Sequence, residues 1–494
     1  MTSLWLDRKD TFHTDEFQPG SRYDTVVAGA GLTGLVTALL LARSGKKVVV
    51  LEARAPGAVT TGNTTAKVTL LQGTVLSSLA HQYPHKMVNA YVEANREGQA
   101  WLIRYFESRN VPFQLRDAFT YATTPRGAET LRSEMTAAAA AGLDVDYVRD
   151  TGLPFPVSGA LRLTDQAQIN PMEVLDALIE DIRSHGGSVV SGVRVRDVSG
   201  TGPAAVETDH GSVIAQEVVL ATGTPILNRG LYFAKLKPHR SYAAALELPE
   251  SLAPPPGMYL SVEQPTRSLR DYEFQGRRLL LVGGNGHPAG RAGSPQAHLD
   301  GVLHWAGVHF PGAVATHTWS AQDYQATNLM PFFGRLPRGR GRIFFGTGYN
   351  KWGMTNAVAA ALGISADILG GQLPWANTIH RRATSPPGVA SAAALNAGVA
   401  ATLAKDWGKM ALNRGPKAEP AEGEGVVVRD GAKPVAKSRV NGALCEVSAV
   451  CTHLGGIVHW NDSEKSWDCP LHGSRFSSEG QLLEGPATRN LPQG

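Results

Sequence analysis

Cysteine is scarce in this sequence. Only three cysteines occur among 494 residues, and all of them, Cys445, Cys451 and Cys469, lie near the C-terminal end. A small, odd and clustered set of cysteines does not fit a disulfide framework, which needs pairs spread over the fold. The clustering instead favours a metal site in the last part of the chain.

The sequence also lacks a strong charge bias and a long apolar run. A net charge of +4, without clustered Lys and Arg, gives no sign of a nucleic-acid surface. The N-terminal residues carry early charges instead of the apolar stretch of a signal peptide. The apolar stretch 35–41 is followed by Arg43 and Gly45, well short of the roughly 20 residues that a membrane span requires. We therefore expect a cytoplasmic protein without a transmembrane segment.

The N-terminal part of the chain has the pattern of a strand–helix–strand unit. An apolar strand runs into the turn GAGLTG at 29–34, a helical stretch follows, and a second apolar strand ends at Glu52. Gly29 permits the tight turn, Gly31 lets the backbone approach a pyrophosphate, and Gly34 lets the helix pack on the strand. A carboxylate at the position of Glu52 can accept hydrogen bonds from ribose hydroxyls. The unit predicts a dinucleotide site but does not separate FAD from NAD.

Two later segments indicate which dinucleotide binds. The segment 221–223 directly follows a buried strand. The segment 346–353 is rich in glycine and precedes a helix. With these segments, residues 22–380 resemble the D-amino acid oxidase and glycine oxidase family of flavoproteins. The resemblance implies FAD, with the late glycine segment closing over the flavin and Val195 meeting the adenine. Besides the N-terminal glycines, the candidate cofactor-binding residues of these segments are Glu52, Ala53, Arg54, Val195, Ala221, Thr222, Gly223, Gly346, Gly348, Gly353 and Met354.

A run of small hydroxyl residues lies where members of that family contact the isoalloxazine ring. Within it, Thr64, Thr65 and Ala66 are candidate contacts to the flavin. Lys67 has two interpretations that the sequence leaves open. It either places a positive charge beside the ring, favouring the anionic reduced flavin, or is a solvated lysine at the end of an element. No cysteine lies in this region, so a cysteinyl link is excluded there and we expect noncovalent FAD.

The C-terminal part of the chain contains the motif C-x-H followed by C-x-x-H. Cys451 and His453 form the first pair, and Cys469 and His472 form the second. In a Rieske [2Fe–2S] cluster, two thiolates bind one iron and two imidazoles bind the other. Two Cys and two His also suit zinc, but zinc fingers usually pair Cys with Cys and His with His, whereas here they alternate. We predict a Rieske cluster, and residues 451–476 resemble the Rieske family throughout.

Departures from the high-potential Rieske proteins bear on the reduction potential. By this resemblance, Gly456 and Leu471 stand where members with a stabilising disulfide carry extra cysteines. Ser474 matches a serine that hydrogen-bonds cluster sulfur, but Phe476 replaces a tyrosine. Fewer hydrogen bonds to sulfur favour the oxidised cluster, so we expect an intermediate or low potential.

These segments predict an α/β protein with a Rossmann-like FAD-binding domain, an α+β substrate domain and a small all-β C-terminal Rieske domain. Residues 414–425 have the composition of a flexible linker, so we expect the flavin region to fold without the cluster domain. The expected ranges are 1–75, 151–239 and 335–385 for FAD binding, 76–150 and 240–334 for the substrate domain, 386–424 for a helix and linker, and 425–494 for the Rieske domain.

The fusion of two redox sites indicates an enzyme. Only residues 473–494 follow His472, so we expect no downstream oxygenase domain with its own iron. A second glycine-rich segment, 282–290, contains Pro288 and does not open an apolar helix, so we expect a loop and not an NAD(P)H site. The leading hypothesis is substrate oxidation at FAD, followed by one-electron steps to the cluster and to an acceptor protein or quinone. Two alternatives stay open: FAD reduces a substrate with electrons from a partner, or the protein is an electron-transfer adaptor.

The family resemblance implies that the small-molecule substrate is oxidised at a C–N bond of an amine or amino acid. Amino-acid oxidases hold the substrate carboxylate with an arginine, and this chain has Gln322 at the matching place. Loss of a bidentate carboxylate clamp is not conservative, so free α-amino acids are in doubt. Arg240 and Tyr242 are candidates for another anion site, although a structural ion pair also explains Arg240. The candidate catalytic residues are Lys67, Arg240, Tyr242 and Gln322, and the oligomeric state stays open.

Overall fold

The computed structural model describes residues 1–8, 12–200, 202–412, 419–431 and 433–493. Part of the expected linker, 413–418, therefore lies outside the described residues. Two short 3₁₀ helices lie at Thr61–Asn63 and Tyr232–Lys235. The α-helices are α1 Leu32–Arg43, α2 Val75–Ala80, α3 His85–Arg109, α4 Pro125–Ala140, α5 Pro171–Ser184, α6 Pro295–His309, α7 Gly353–Ile368, α8 Pro374–His380 and α9 Pro386–Leu412.

The strands are numbered along the chain. They are β1 Arg22–Ala28, β2 Val48–Glu52, β3 Lys67–Val68, β4 Phe113–Ala122, β5 Asp146–Val148, β6 Gly159–Ile169, β7 Ser188–Ser191, β8 Val195–Ser199, β9 Ala204–Thr208, β10 Gly211–Leu220, β11 Leu236–Glu247 and β12 Met258–Ser261. The remainder are β13 Arg267–Phe274, β14 Arg277–Pro288, β15 Val314–Ala326, β16 Phe332–Arg335, β17 Ile343–Thr347, β18 Gly425–Asp430, β19 Lys433–Val440, β20 Ala443–Ser448, β21 His459–Asn461, β22 Ser466–Asp468, β23 Arg475–Ser477 and β24 Leu482–Glu484.

The first large sheet has the strand order β16-β17-β10-β1-β2-β7, with β8 and β9 beside β10. Its central strand β1 is parallel to both β2 and β10. Helix α1 follows β1 after a short glycine turn, so its N-terminus lies at the carboxyl edge of the sheet. This is the edge at which open parallel sheets bind nucleotides, because backbone N–H groups of the helix end point there. The predicted Rossmann-like unit is confirmed.

The second large sheet has the order β15-β11-β14-β13-β12-β4-β6-β3, with β5 beside β6. The expectation of a loop at 282–290 is wrong, because β14 runs through Pro288 and pairs with β11 and β13. Glycine is required in this strand. A Cβ on Gly284 would lie 2.4 Å from Thr266 O, and one on Gly286 would lie 2.4 Å from the His239 ring. The pairing strands on both sides outweigh the local preference of glycine and proline for loops.

The C-terminal domain is built from two small antiparallel sheets, β18-β19-β20 and β21-β22-β23-β24. Its core includes Trp467 and Phe476, both fully buried. The predicted all-β fold of this domain is confirmed.

Helix α9 leads from the flavin region to the cluster domain and leaves most of its apolar surface exposed. In the part of the chain that the structure describes, it alone is long and apolar enough to cross a membrane. It packs on the protein, however. Asp406 Oδ2 lies 3.0 Å from His459 Nε2, and Trp407 Nε1 donates to Gly455 O at 3.0 Å. Leu403 and Met410 pack on the core of the cluster domain.

Candidate flavin cavity and cluster site

A cavity of about 710 Å³ is lined by residues from both large sheets and from the cluster domain. The glycine turn forms one part of its wall. Gly29 has φ +105°, and a Cβ there would lie 2.5 Å from Ala221 O. A Cβ on Gly34 would lie 2.0 Å from Gly29 O, so α1 can approach β1 only with glycine at this position. This close-packed turn has the shape that a dinucleotide pyrophosphate requires.

Glu52 ties the glycine turn to the end of β2. Its Oε2 accepts from Ala30 N at 2.8 Å and its Oε1 from Arg54 N at 2.9 Å. Burial raises the pKa of the Glu52 carboxyl, and these bonds and Arg194 partly offset the effect. Each carboxylate oxygen has two lone pairs, so Glu52, which lines the cavity, can still accept from a ribose hydroxyl.

Lys67 also lines the cavity and is not a solvated surface lysine. Its Nζ donates to Tyr259 O at 2.7 Å and to Ser268 Oγ at 2.6 Å. Burial, together with the nearby Arg270 guanidinium, holds the pKa of Lys67 well below its usual value. Ala66 is fully buried, does not line the cavity and accepts through its O atom from Arg270 at 2.9 Å.

Polar groups on β11, β14 and β15 surround another part of the cavity. Tyr242 Oη lies 3.1 Å from His287 Nε2, and Lys351 Nζ donates to Asp323 Oδ1 at 3.0 Å. The Nδ1 atom of His239 is buried and has no hydrogen-bond partner among the described residues. Burial, followed by the charge of Lys351, lowers the pKa of His239 to about 3. His239 is therefore neutral at ordinary pH.

Arg240 and Gln322 do not line the cavity, so their assignment to the substrate site is corrected. Arg240 is 1% exposed and donates to Ser320 and Glu464, the latter from the cluster domain. Gln322 accepts from Arg240 Nη2 at 3.2 Å and donates to Gly473 O at 2.8 Å. Both side chains thus belong to the junction of the two domains, as the ion-pair interpretation of Arg240 anticipated.

The four predicted cluster ligands lie on two loops of similar shape. Gly455 N donates to Cys451 O at 3.0 Å, and Gly473 N donates to Cys469 O at 3.1 Å. The two thiols are neighbours, and their interaction lowers the pKa of Cys451 and raises that of Cys469. The rings of His453 and His472 have centroids 5.1 Å apart and planes at 87°. In a Rieske cluster two sulfurs bind one iron and two nitrogens bind the other, and the two thiols and two imidazoles are paired in this way.

The two imidazoles have the protonation state that iron requires. His472 Nδ1 is buried and has no partner within the described ranges, so a nitrogen lone pair is free. Burial lowers the pKa of His453 and of His472 to about 4, which keeps both rings neutral. In the described parts of the chain, there is no group of three or more Cys, His, Asp or Glu side chains that could together coordinate a single metal ion. Pairs of donors fit a two-iron cluster better than zinc. Cys445, expected to be buried, is half-buried on β20.

A segment of the cluster domain, which we call the strap (residues 482–488), separates the two sites. Five of its residues line the cavity. Arg194 Nη2 donates to Leu482 O at 2.8 Å, and Tyr324 Oη donates to Gly485 O at 3.0 Å. On the other side, Ala487 N donates to Ser474 Oγ at 2.9 Å, and Ser474 O accepts from Cys469 N at 2.8 Å. One hydrogen-bonded serine thus joins the cavity wall to a predicted cluster ligand.

Most predicted flavin-site residues line this cavity. Gly34 and Ala66 do not, although Gly34 packs behind the turn as expected, and of the candidate catalytic residues Lys67 and Tyr242 do. The lining residues among the predicted set are Gly29, Gly31, Glu52, Ala53, Arg54, Thr64, Thr65, Lys67, Val195, Ala221, Thr222, Gly223, Tyr242, Gly346, Gly348, Gly353 and Met354.

Sequence reasoning missed several residues of the wall. Lys351 lies inside the late glycine segment, so its position in the sequence could have indicated it. His239 directly precedes Arg240, which the sequence had indicated for a possible anion site. The strap gives no signal in the sequence, because its contact with the cavity depends on how the two domains pack.

The fold and the two sites define a flavoprotein joined to an iron–sulfur domain. Residues 24–366 match the family described as FAD dependent oxidoreductase, and residues 413–493 match the Rieske [2Fe-2S] domain. The chain therefore belongs to the family of FAD-dependent oxidoreductases and carries a C-terminal Rieske domain. The flavin domain binds FAD and the Rieske domain binds a [2Fe–2S] cluster, as predicted.

Individual proteins are similar over different parts of the chain. A Rieske 2Fe-2S iron-sulfur protein of Bacillus subtilis is 29% identical over 496 residues, covering 99% of this chain and 97% of that protein. The cytochrome b6-f complex iron-sulfur subunit of Chlorobaculum tepidum is 34% identical over 79 residues, 16% of this chain and 44% of that protein.

Solved structures support the fold of the flavin region. Glycine oxidase from Geobacillus kaustophilus has a TM-score of 0.60 at 18% identity, covering 72% of this chain and 96% of its own. L-amino acid deaminase from Proteus myxofaciens has a TM-score of 0.59 at 14% identity, covering 74% of this chain and 94% of its own. At these identities the likeness concerns the fold.

Proposed function

We propose that this enzyme oxidises a C–N bond of an amine or amino-acid-like small molecule at FAD. Its Rieske cluster then passes the electrons singly to an external acceptor, a protein or a quinone. The observation that carries the proposal is the strap, which is part of the flavin cavity wall and reaches the proposed cluster ligand Cys469 through Ser474. A cluster domain packed in this way is suited to take electrons from the flavin.

When bound, FAD supplies the two-electron acceptor for the substrate, and the [2Fe–2S] cluster accepts one electron at a time. The residues of the chain position the reactants and balance charge. Lys67 uses two of its donors on Tyr259 O and Ser268 Oγ, which leaves a third hydrogen when the amine is protonated. Because burial lowers its pKa, Lys67 can take up a proton as negative charge develops in the cavity. Tyr242, held by His287, is proposed to orient the substrate.

The charges around the cavity favour a substrate without a free α-carboxylate. The lining arginines, Arg54 and Arg194, flank Glu52. Lys351 is paired with Asp323, and the guanidinium of Arg240 is bound to Glu464 outside the cavity. Among the described lining residues, no guanidinium is therefore left beside Tyr242 to clamp a carboxylate in two places.

Anaerobic mixing with a panel of amines and N-substituted amino acids tests this proposal. We expect one class of substrate to bleach the flavin absorbance, and freeze-quenched samples to show the reduced Rieske signal afterwards. Addition of a one-electron acceptor should then restore both oxidised spectra. A cluster that is reduced first, by a partner, with the flavin following, would instead support the reductase alternative. Reversible reduction with no substrate turned over would support the adaptor.

We also propose that the protein works in the cytoplasm. The predicted domain ranges likewise stay proposals. Cell fractionation of tagged full-length protein would test the location, since α9 would hold a membrane protein in the pellet. Limited proteolysis would test the ranges, because cleavage is expected first between the flavin region and the Rieske domain.

A further inference from the structure

Glu484 is a buried carboxyl group that the strap contributes to the flavin cavity. It lines the cavity, yet its side chain is only 6% exposed. Its Oε1 atom has no hydrogen-bond partner in the described ranges. Its Oε2 atom lies 3.8 Å from Arg475 Nη1, too far for a good hydrogen bond. Burial of an ionised carboxylate with so few hydrogen bonds costs free energy, so the protonated form of Glu484 is favoured.

The groups around Glu484 form a network with more carboxylates than guanidinium groups. Arg475 contacts Glu464 at 3.0 Å and Asp468 at 3.2 Å, and Arg240 reaches the same two acids from the flavin region. The two arginines face three acids in all, so full ionisation leaves one surplus negative charge. From β15, Tyr324 also faces this network, and its pKa is raised well above the usual value, chiefly by burial, so it stays neutral.

The network distributes its charge unevenly. Burial raises the pKa of each acid, but Arg240 and Arg475 more than offset this for Glu464 and Asp468, whose pKa values are lowered. For Glu484 the burial effect exceeds the effect of the arginines, and its pKa is raised to about 7. Glu484 is therefore the acid of the network that binds and releases a proton near neutral pH.

Glu484 also lies between the two redox sites. It is part of the flavin cavity wall, and its neighbour Arg475 follows Ser474, whose O atom accepts from Cys469 N at 2.8 Å. An electron added to either site brings negative charge towards Glu484. Negative charge nearby raises the pKa of a carboxyl group, so reduction favours its protonation.

We propose that Glu484 is the proton-accepting group of electron transfer between the two cofactors. A hydride from the substrate carries two electrons and one proton, whereas the cluster and the external one-electron acceptor take electrons only. The carboxylate of Glu484 binds the proton left behind, forming a carboxylic acid, and releases it to solvent as the electrons leave. For the source of the electrons this inference rests on the proposed function.

Proton uptake during anaerobic photoreduction of the holoenzyme, followed with a pH indicator, tests the role of Glu484. Near neutral pH, Glu484→Gln should take up fewer protons per electron than the unaltered protein. Glu484→Asp should recover part of the uptake, and Glu479→Gln, which alters an exposed acid of the same domain, should change nothing. The midpoint potentials should fall as pH rises through neutrality, and fall less in Glu484→Gln. Equal uptake and equal pH profiles in Glu484→Gln would overturn the inference.

Photoreduction needs no substrate, so this test is independent of the proposed substrate oxidation. Failure of an amine to bleach the flavin would reject the proposed function without changing the proton count. Iron and FAD contents of each variant establish that both sites are filled. If Glu484→Gln does not fold, reduced-minus-oxidised infrared spectra of the unaltered protein decide. A protonated carboxyl band that grows on reduction supports the role, and its absence overturns it.

Discussion

Gln322 Nε2 donates to Gly473 O at 2.8 Å, which fastens the flavin region to the loop that carries His472. Gly473 has φ +80°, and a Cβ there would lie 2.5 Å from Pro238 Cβ and 2.9 Å from Gln322 Nε2. Only glycine therefore allows the cluster loop to approach the sheet so closely. Arg240 and Tyr324 complete the contact around Gln322. The position of the cluster relative to the flavin cavity depends on this junction.

Replacing Gln322 by Leu should loosen the junction. The change leaves Gly473 O and one donor of Arg240 without partners in a buried place, which costs about 1–3 kcal/mol in the free energy of unfolding. Thermal unfolding of the holoenzyme checks this cost. The flavin-to-cluster transfer step, followed by freeze-quench, should be slowed while substrate still bleaches the flavin at its usual rate. Gln216→Leu, at an exposed position in the middle of β10, is the control and should leave both quantities unchanged.

The glycine turn and the cluster motif were predictable because their function depends on local spacing. Gly29 and Gly34 meet backbone atoms within one strand–turn–helix unit, and each Cys–His pair lies on one short loop. Arg240 was harder to place, since its partner Glu464 is 224 positions away in another domain. A sequence shows that a guanidinium is present but not which carboxylate neutralises it.

The incorrect expectation at 282–290 has a related cause. Glycine and proline favour loops only when no neighbouring strands compete, and β11 and β13 pair with β14 on both sides. A similar dependence on packing explains why the strap was missed. Nothing in the residues 482–488 marks them as a cavity wall, because that role arises when Arg194 and Tyr324 hold the strap in place.

His472→Ala should remove the iron and leave FAD bound near full occupancy. The change deletes one of two imidazoles that hold the second iron, whereas the flavin site contains no ligand of the cluster. Iron analysis and the visible spectrum measure the two cofactors separately. Cys445→Ser is the matched control, because this half-buried thiol lies outside the ligand set. Iron retained in His472→Ala, or zinc in place of iron in the unaltered protein, would be incompatible with the assigned ligands.

Lys67→Met should lower the flavin potential or slow flavin reoxidation, with little effect on folding. The ammonium form of Lys67 stabilises negative charge in the cavity, and methionine has similar length without the charge. Spectroelectrochemistry and stopped-flow reoxidation check this. Lys351→Met is an informative comparison, because Lys351 lines the same cavity but is already paired with Asp323. Unchanged potential and kinetics in Lys67→Met would remove Lys67 from the flavin chemistry.

A chain that ends after Leu412 separates the roles of the strap and the cluster. Composition predicts a flexible linker and an independent flavin region, but removal of the cluster domain opens the cavity at the strap and leaves Arg240 without Glu464. We therefore expect this protein to fold and to bind FAD less tightly than the full chain. With FAD in excess, the true substrate should still reduce the flavin, and turnover with a one-electron acceptor should be lost.

Full-length His472→Ala is the matched control, since it lacks the intact cluster but retains the strap. It should lose one-electron turnover like the shortened chain while keeping FAD tightly bound. This is expected because the affinity for FAD depends on the strap in the cavity wall and not on the iron of the cluster. Titration with FAD and stopped-flow mixing with substrate measure the two effects. Equal FAD affinity in the shortened and full-length proteins would mean that the strap does not help to hold FAD. If the shortened protein holds FAD but substrate no longer reduces it, the cluster domain either shapes the substrate site or delivers electrons inward. Flavin reduction by substrate in full-length His472→Ala would then indicate the first. Its absence there would mean that electrons enter through the cluster and that the proposed direction is reversed.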